Sequence, residues 1–134
     1  MLPIEYNIYE KDFNNIKKIL EFVEQTKIYK RFSYNNTIWF YSKEKGTELY
    51  VKNFINQKLI ISRIYLTNKR KGTCFKIVNE LKKYCKKHHI KELIIESTIT
   101  KEMNNFCKKN NFKPIKYEGF NIDNEFYGNY QYII

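Results

Sequence analysis

The chain has 134 residues, 43% hydrophobic and 17% aromatic, with four Gly and two Pro; this suits one domain with a real core and excludes disordered, collagen-like and low-complexity classes. A net charge of +11 invites a polyanionic partner, yet only Arg31, Arg63 and Arg70 among the 25 basic residues carry the bidentate fork suited to phosphates and bases, and the Lys, Ile, Asn, Tyr and Phe excess is what A/T-rich codons produce. No apolar run approaches the ~20 residues of a membrane span and the first residues lack the pattern of a secretory signal, so a cytoplasmic protein is expected.

In chain order, residues 3–9 can form a short strand. Asp12 then stands where a helix cap belongs, before a stripe of Phe13, Ile16, Ile19, Leu20 and Val23 that fades near residues 27–29. Residues 30–36 are polar and aromatic, and read as a loop or a second short helix. Residues 37–42 (TIWFYS) and 47–54 (TELYVKNF) read as strands joined by a KEKG turn at 43–46. After a turn at Asn56–Gln57, residues 59–66 (LIISRIYL) are apolar on both faces apart from Arg63, as a covered central strand would be.

From Gly72 the period is helical: Phe75, Val78, Leu81 and Cys85 form the stripe, widened by Ile77 and Tyr84. Residues 93–96 (LIIE) make a short buried strand. Thr100 can cap a third helix with Met103, Phe106 and Cys107 on its inner side, and Pro114 ends that pattern. Two strands, near residues 115–120 and 126–134, close the chain about a turn at Asp123–Asn124. The order β-α-β-β-β-α-β-α-β-β predicts a single α/β domain: a mixed sheet with helices on both faces. Cys74, Cys85 and Cys107 lack C-x-x-C spacing, so neither a metal site nor a disulfide framework is expected. His88 and His89 fall at a helix end, where facing the dipole is their usual role.

The most informative stretch is residues 59–80, LIISRIYLTNKRKGTCFKIVNE. A buried strand runs into a basic loop, then Gly72, then an amphipathic helix, which aims free N–H groups and a positive dipole end at one point. Alone this motif is weak: a Gly before a helix is usually a turn, and KRK is usually a solvated loop.

Lys69-Arg70-Lys71-Gly72-Thr73-Cys74 resembles the [Q/R]-x-x-G-x-[G/A] signature of the GNAT superfamily of acyl-CoA-dependent N-acetyltransferases. Residues 103–112, MNNFCKKNNF, are similar to that family's A-x-x-F-Y-x-K-x-G-F segment. Departures are Lys69 for Gln/Arg, Cys74 for the second small residue, Cys107 for the usual Tyr, and Asn111 for Gly. The resemblance implies a mostly antiparallel sheet of six or seven strands, with strands 59–66 and 93–96 adjacent, parallel and splayed at one end. It also implies acetyl-CoA as co-substrate. Pantetheine would pair with main chain at Ile64, Tyr65 and Leu66, and pyrophosphate would rest on Arg70–Cys74, with Lys69 and Lys71 adding charge.

Each catalytic candidate has a plainer alternative. Glu96 either acts as a base, directly or through water, or forms a salt bridge or cap. Cys107, where the resemblance implies the proton donor to the leaving thiolate, either has that role or packs the core. Tyr65 faces an acceptor cleft or packs in the sheet; Arg63 holds an acidic substrate group or pairs with a carboxylate. Tyr117, Tyr127, Tyr130 and Tyr132 border the acceptor site or cover the sheet. The expectation is therefore an N-acetyltransferase acting on an amine carried by a small molecule, a protein or a nucleic acid. The alternative is a catalytically degenerate module that binds nucleic acid or a protein through its basic surface.

Overall fold

The computed structural model describes residues 7–34, 36–55, 57–69 and 71–134. Residues 3–6 of the expected first strand lie outside these, and residues 7–9 join no strand. A 3-10 turn, Glu10–Phe13, leads into α1 (Asn14–Glu24), β1 (Tyr29–Ser33), β2 (Thr37–Tyr41), β3 (Glu48–Phe54) and β4 (Lys58–Tyr65). Then follow α2 (Thr73–Lys87), β5 (Glu92–Thr98), α3 (Lys101–Lys109), β6 (Lys113–Ile122) and β7 (Glu125–Ile133). The strands form one seven-stranded sheet in the order β1-β2-β3-β4-β5-β7-β6. Every neighbouring pair is antiparallel except β4 and β5. This is the α/β mixed sheet that the sequence predicts, mostly antiparallel and seven-stranded as the resemblance implies.

Several local signals act as read. Thr100 caps α3, its Oγ1 accepting from the Met103 N–H at 3.2 Å. Asp123 and Asn124 both take positive φ, 50° and 65°, in the β6–β7 turn, as tight hairpins require. Asp12 behaves differently. No side chain caps the 3-10 turn or α1, because the Asp12 carboxylate is taken by Lys87 Nζ at 2.7 Å and His88 Nε2 at 2.6 Å, at the C-terminal end of α2. Residues 29–33, read as loop or helix from 30 onward, form β1; it pairs only with β2, and an edge strand needs no buried face to show in its sequence.

The helices do not flank the sheet on both faces. Ile16 and Leu20 of α1, Ile77, Leu81 and Cys85 of α2, and Cys107 of α3 share one core with Ile38, Phe40, Leu49, Val51, Leu59, Ile61, Leu93, Ile95 and Tyr130. Those strand residues alternate along their strands and sit opposite one another in register, so they define a single face. Handedness explains this: β4–α2–β5 and β5–α3–β6 both step the same way along the sheet, and right-handed crossovers in one direction put both helices on one side. The stripe of α2 is rotated from the expected one: Thr73, Ile77, Val78, Leu81, Tyr84 and Cys85 are buried, while Phe75 is exposed. Among the described residues no helix is long and apolar enough to cross a membrane.

Candidate active site

β4 and β5 pair in parallel from Lys58↔Glu92 to Ile61↔Ile95 and no further, although both strands continue. Two bulges open them. Ser62 is an extra residue in β4 between the pairs Val51↔Ile61 and Tyr50↔Arg63. β5 gains a residue against β7 between Ile95↔Tyr130 and Thr98↔Gly128, where Ser97 has φ 54°. Bulges bend a strand and increase its twist, so the strands diverge beyond Ile61 and Ile95. The β5-facing edge of β4 is left without a strand partner there. Ile64 and Tyr65 lie on that segment, with Leu66 just after it.

The loop after β4 leads to the N-terminus of α2. Lys69 and Lys71 are exposed on it; Arg70 lies outside the described residues. Gly72 is the N-cap with φ 70°, and no side chain caps the helix. A Cβ at Gly72 would meet nothing within 4 Å, so its backbone conformation, not crowding, favours glycine there. The first N–H groups of a helix have no acceptor within it. Thr73 is buried with its Oγ1 unpartnered among the described residues, and the half-buried Cys74 has its thiol pushed up to about 12 by desolvation.

Glu24, in the last turn of α1, is fully buried and ties this loop down. Its Oε1 accepts from Thr47 Oγ1 (2.6 Å), Thr67 N (2.7 Å) and Thr67 Oγ1 (3.0 Å). Its Oε2 accepts from Asn68 N at 2.7 Å. Asn68 Nδ2 also donates to the Val23 carbonyl at 2.6 Å. Desolvation pushes the carboxyl pKa upward, but the hydrogen bonds outweigh it and the net shift is downward.

On the helix-free face, beside the β4 bulge, Trp39, Tyr50, Lys52, Ser62, Arg63 and Glu96 line a cleft of about 370 Å³. Glu96 Oε1 is 3.8 Å from Lys52 Nζ, an ion pair too long for a hydrogen bond. Arg63 pairs with a carboxylate, that of Glu48, through Nη1 at 2.7 Å, and it also lines the cleft. Tyr65 is exposed. Cys107 is enclosed in the core; desolvation, then neighbouring Cys74, push its thiol up to about 12. That placement matches its core alternative and gives no support to proton donation.

The late tyrosines divide. Tyr130 is fully buried and donates to Asn104 Oδ1, Tyr132 packs on Phe112 and beneath Lys82, and Tyr117 is exposed. Tyr127 lies beside Phe120, and none of the four lines the cleft. Sequence reasoning passed over Glu24, Trp39, Tyr50, Lys52 and Ser62. Their spacing carries no motif, because the cleft draws on β2, β3, β4 and β5 and Glu24 meets donors more than forty residues away.

No protein-family model matches this sequence, and no curated protein matches it. Solved structures do. The PaiA N-acetyltransferase from Thermoplasma acidophilum, solved in complex with coenzyme A, is 19% identical over 73% of this chain and 60% of its own, with a TM-score of 0.51. Ard1 from Thermoplasma volcanium is 12% identical over 96% of this chain and 95% of its own, with a TM-score of 0.54. An acetyltransferase from Streptococcus agalactiae is 10% identical over 93% of this chain and 76% of its own, with a TM-score of 0.55. At these identities the likeness is one of fold. The chain has the fold of the GNAT N-acetyltransferases.

Proposed function

We propose that this protein is an N-acetyltransferase that moves an acetyl group from acetyl-CoA to an amine. The observation that carries the reading is a parallel strand pair that opens immediately before a basic loop and an uncapped helix N-terminus. The groups present suit the co-substrate. The unpaired edge of β4 offers main-chain groups to an amide-bearing arm. Among the described residues the Thr73 hydroxyl lacks a partner at the helix start, and the space beside Gly72 is open.

Bound acetyl-CoA would supply an activated thioester. The N–H groups at Gly72–Cys74 hold the pyrophosphate, with Lys69 and Lys71 adding charge and Arg70 included from its sequence position alone. Ile64, Tyr65 and Leu66 pair with the pantetheine arm as a strand would. Glu96 accepts the proton of the acceptor ammonium on a carboxylate oxygen, directly or through one water. The freed nitrogen lone pair forms the C–N bond as the C–S bond breaks; the nitrogen gives up its second proton to solvent, and the departing sulfur takes a proton from solvent. Cys107 has no part in this scheme. The free cysteines Cys74, Cys85 and Cys107 suit a reducing compartment, so the cytoplasm is the proposed location.

Calorimetry with acetyl-CoA and a free-thiol assay over a panel of amines test this reading. Glu96→Gln should lower kcat about 10²-fold or more with acetyl-CoA affinity unchanged. Absence of acetyl-CoA binding in the wild type would end the reading.

A second reading draws on the helix-free face, where Lys27 and Lys43 lie over Tyr29, and Arg31 over Trp39 and Tyr41. Interleaved cations and aromatic rings are a means of holding single-stranded nucleic acid. That reading requires RNA or DNA affinity to fall steeply with salt; a flat dependence rejects it.

A further inference from the structure

We propose that the cleft on the helix-free face selects an acceptor bearing an oxyanion, carboxylate or phosphate, close to the amine that receives the acetyl group. This rests on the acetyltransferase reading and adds the class of acceptor to it.

Among the described residues Glu96 is the one carboxylate lining the cleft, and it faces Lys52 at 3.8 Å, which leaves its oxygens open to an ammonium group. Lys52 keeps its three donors for the same reason. Glu48 engages Arg63 through Nη1, leaving the rest of the guanidinium fork. Trp39 Nε1 and Ser62 Oγ are buried without a hydrogen-bond partner among the described residues. An indole N–H only donates, so what satisfies it must be an acceptor. Ser62 lines the cleft and sits on the bulge itself.

The lining thus offers the donors of Lys52, Arg63 and Trp39, the hydroxyls of Tyr50 and Ser62, which donate or accept, and one carboxylate, a set rich in donors. That set matches a ligand with one amine, placed at Glu96, and one anionic group, placed among Lys52, Ser62, Trp39 and Arg63. A diamine would set its second cation against Lys52 and Arg63 and leave Trp39 Nε1 unpaired. About 370 Å³ lies at the small end of ligand sites, so the acceptor is a small molecule. The position also suits the chemistry. The cleft opens on the face opposite α2, beside the point where β4 and β5 part, so acceptor and donor would meet through that opening from opposite sides.

Trp39 is the sole tryptophan, so its fluorescence reports this cleft alone. The test titrates the full chain with leucine against leucinamide, O-phosphoethanolamine against ethanolamine, and putrescine, and then measures kcat/KM for each with acetyl-CoA. At least one anionic amine should bind and turn over tenfold or more better than its uncharged counterpart and than putrescine; which anionic member leads identifies carboxylate or phosphate. Lys52→Met should erase that preference while the calorimetric Kd for acetyl-CoA is retained. Should the neutral amines or putrescine match the anionic ones, the acceptor class is wrong while the acetyltransferase reading stands. A chain that fails to bind acetyl-CoA loses that reading, and the fluorescence arm still decides this one. Fluorescence that no anionic amine quenches saturably overturns it.

Discussion

Glu24→Ala probes the tie between α1 and the loop before α2. The wild-type carboxylate is fully buried and accepts four hydrogen bonds, two of them from the backbone N–H groups of Thr67 and Asn68. Hydroxyls can turn elsewhere; backbone N–H groups cannot. Two stranded donors at ~1–3 kcal/mol each set the loss at about 4 kcal/mol, a large share of the ~5–15 kcal/mol that holds a domain together. For a chain of this size that lowers the melting temperature by about 10–15 °C. Glu24→Gln should cost less, about 2 kcal/mol, because its oxygen can keep the three bonds made by Oε1 and only the Asn68 N–H faces the amide NH₂.

The pH dependence separates charge from shape. Burial raises the Glu24 pKa and the hydrogen bonds lower it further, so the folded group titrates below its ordinary value of 4.5. A carboxyl depressed in the folded state contributes fully above the unfolded pKa and loses that contribution as pH falls through the folded one. The gap between wild type and Glu24→Gln should therefore be widest at neutral pH and narrow below 4.5. Urea unfolding of the three proteins at pH 7 and in a series down to pH 3 measures it. A Glu24→Ala loss under ~1 kcal/mol would refute the hydrogen-bond accounting, and a gap independent of pH would refute the role of charge.

Gly72→Ala and Gly72→Val should each cost ~1–2 kcal/mol of stability, since φ is 70° and nothing stands within 4 Å of the new Cβ. Gly72→Val should also weaken acetyl-CoA binding tenfold or more, and unchanged affinity by calorimetry would remove the phosphate cradle. Cys107→Ala should lower stability by ~1 kcal/mol through a small cavity and leave kcat per folded molecule unchanged; a hundredfold fall in kcat would return the thiol to the reaction.

The sequence by itself determined what local forces decide. Helical spacing marked α2, a β-rich run marked β4, Thr100 marked the start of α3, and Asp123–Asn124 marked a tight turn. Each depends on neighbours within a few residues. The loop ending in Gly72 was legible for the same reason: a basic turn, a residue free to take φ 70° and a helix start are contiguous.

Only the tertiary structure decided the rest. β1 is an edge strand whose identity comes from β2, not from a buried face of its own. The expected cap at Asp12 yielded to partners on α2, because Lys87 and His88 offer a carboxylate stronger hydrogen bonds than a helix start does. The helices share one face because the crossovers run in one direction, a property of strand order. Glu24 looks like any helix glutamate until Thr47, Thr67 and Asn68 close around it. The opening between β4 and β5 arises from two bulges, and a bulge exists only relative to a partner strand. The cleft beside it gathers side chains from four strands, so only the register of the assembled sheet could bring Trp39, Lys52, Ser62 and Glu96 together.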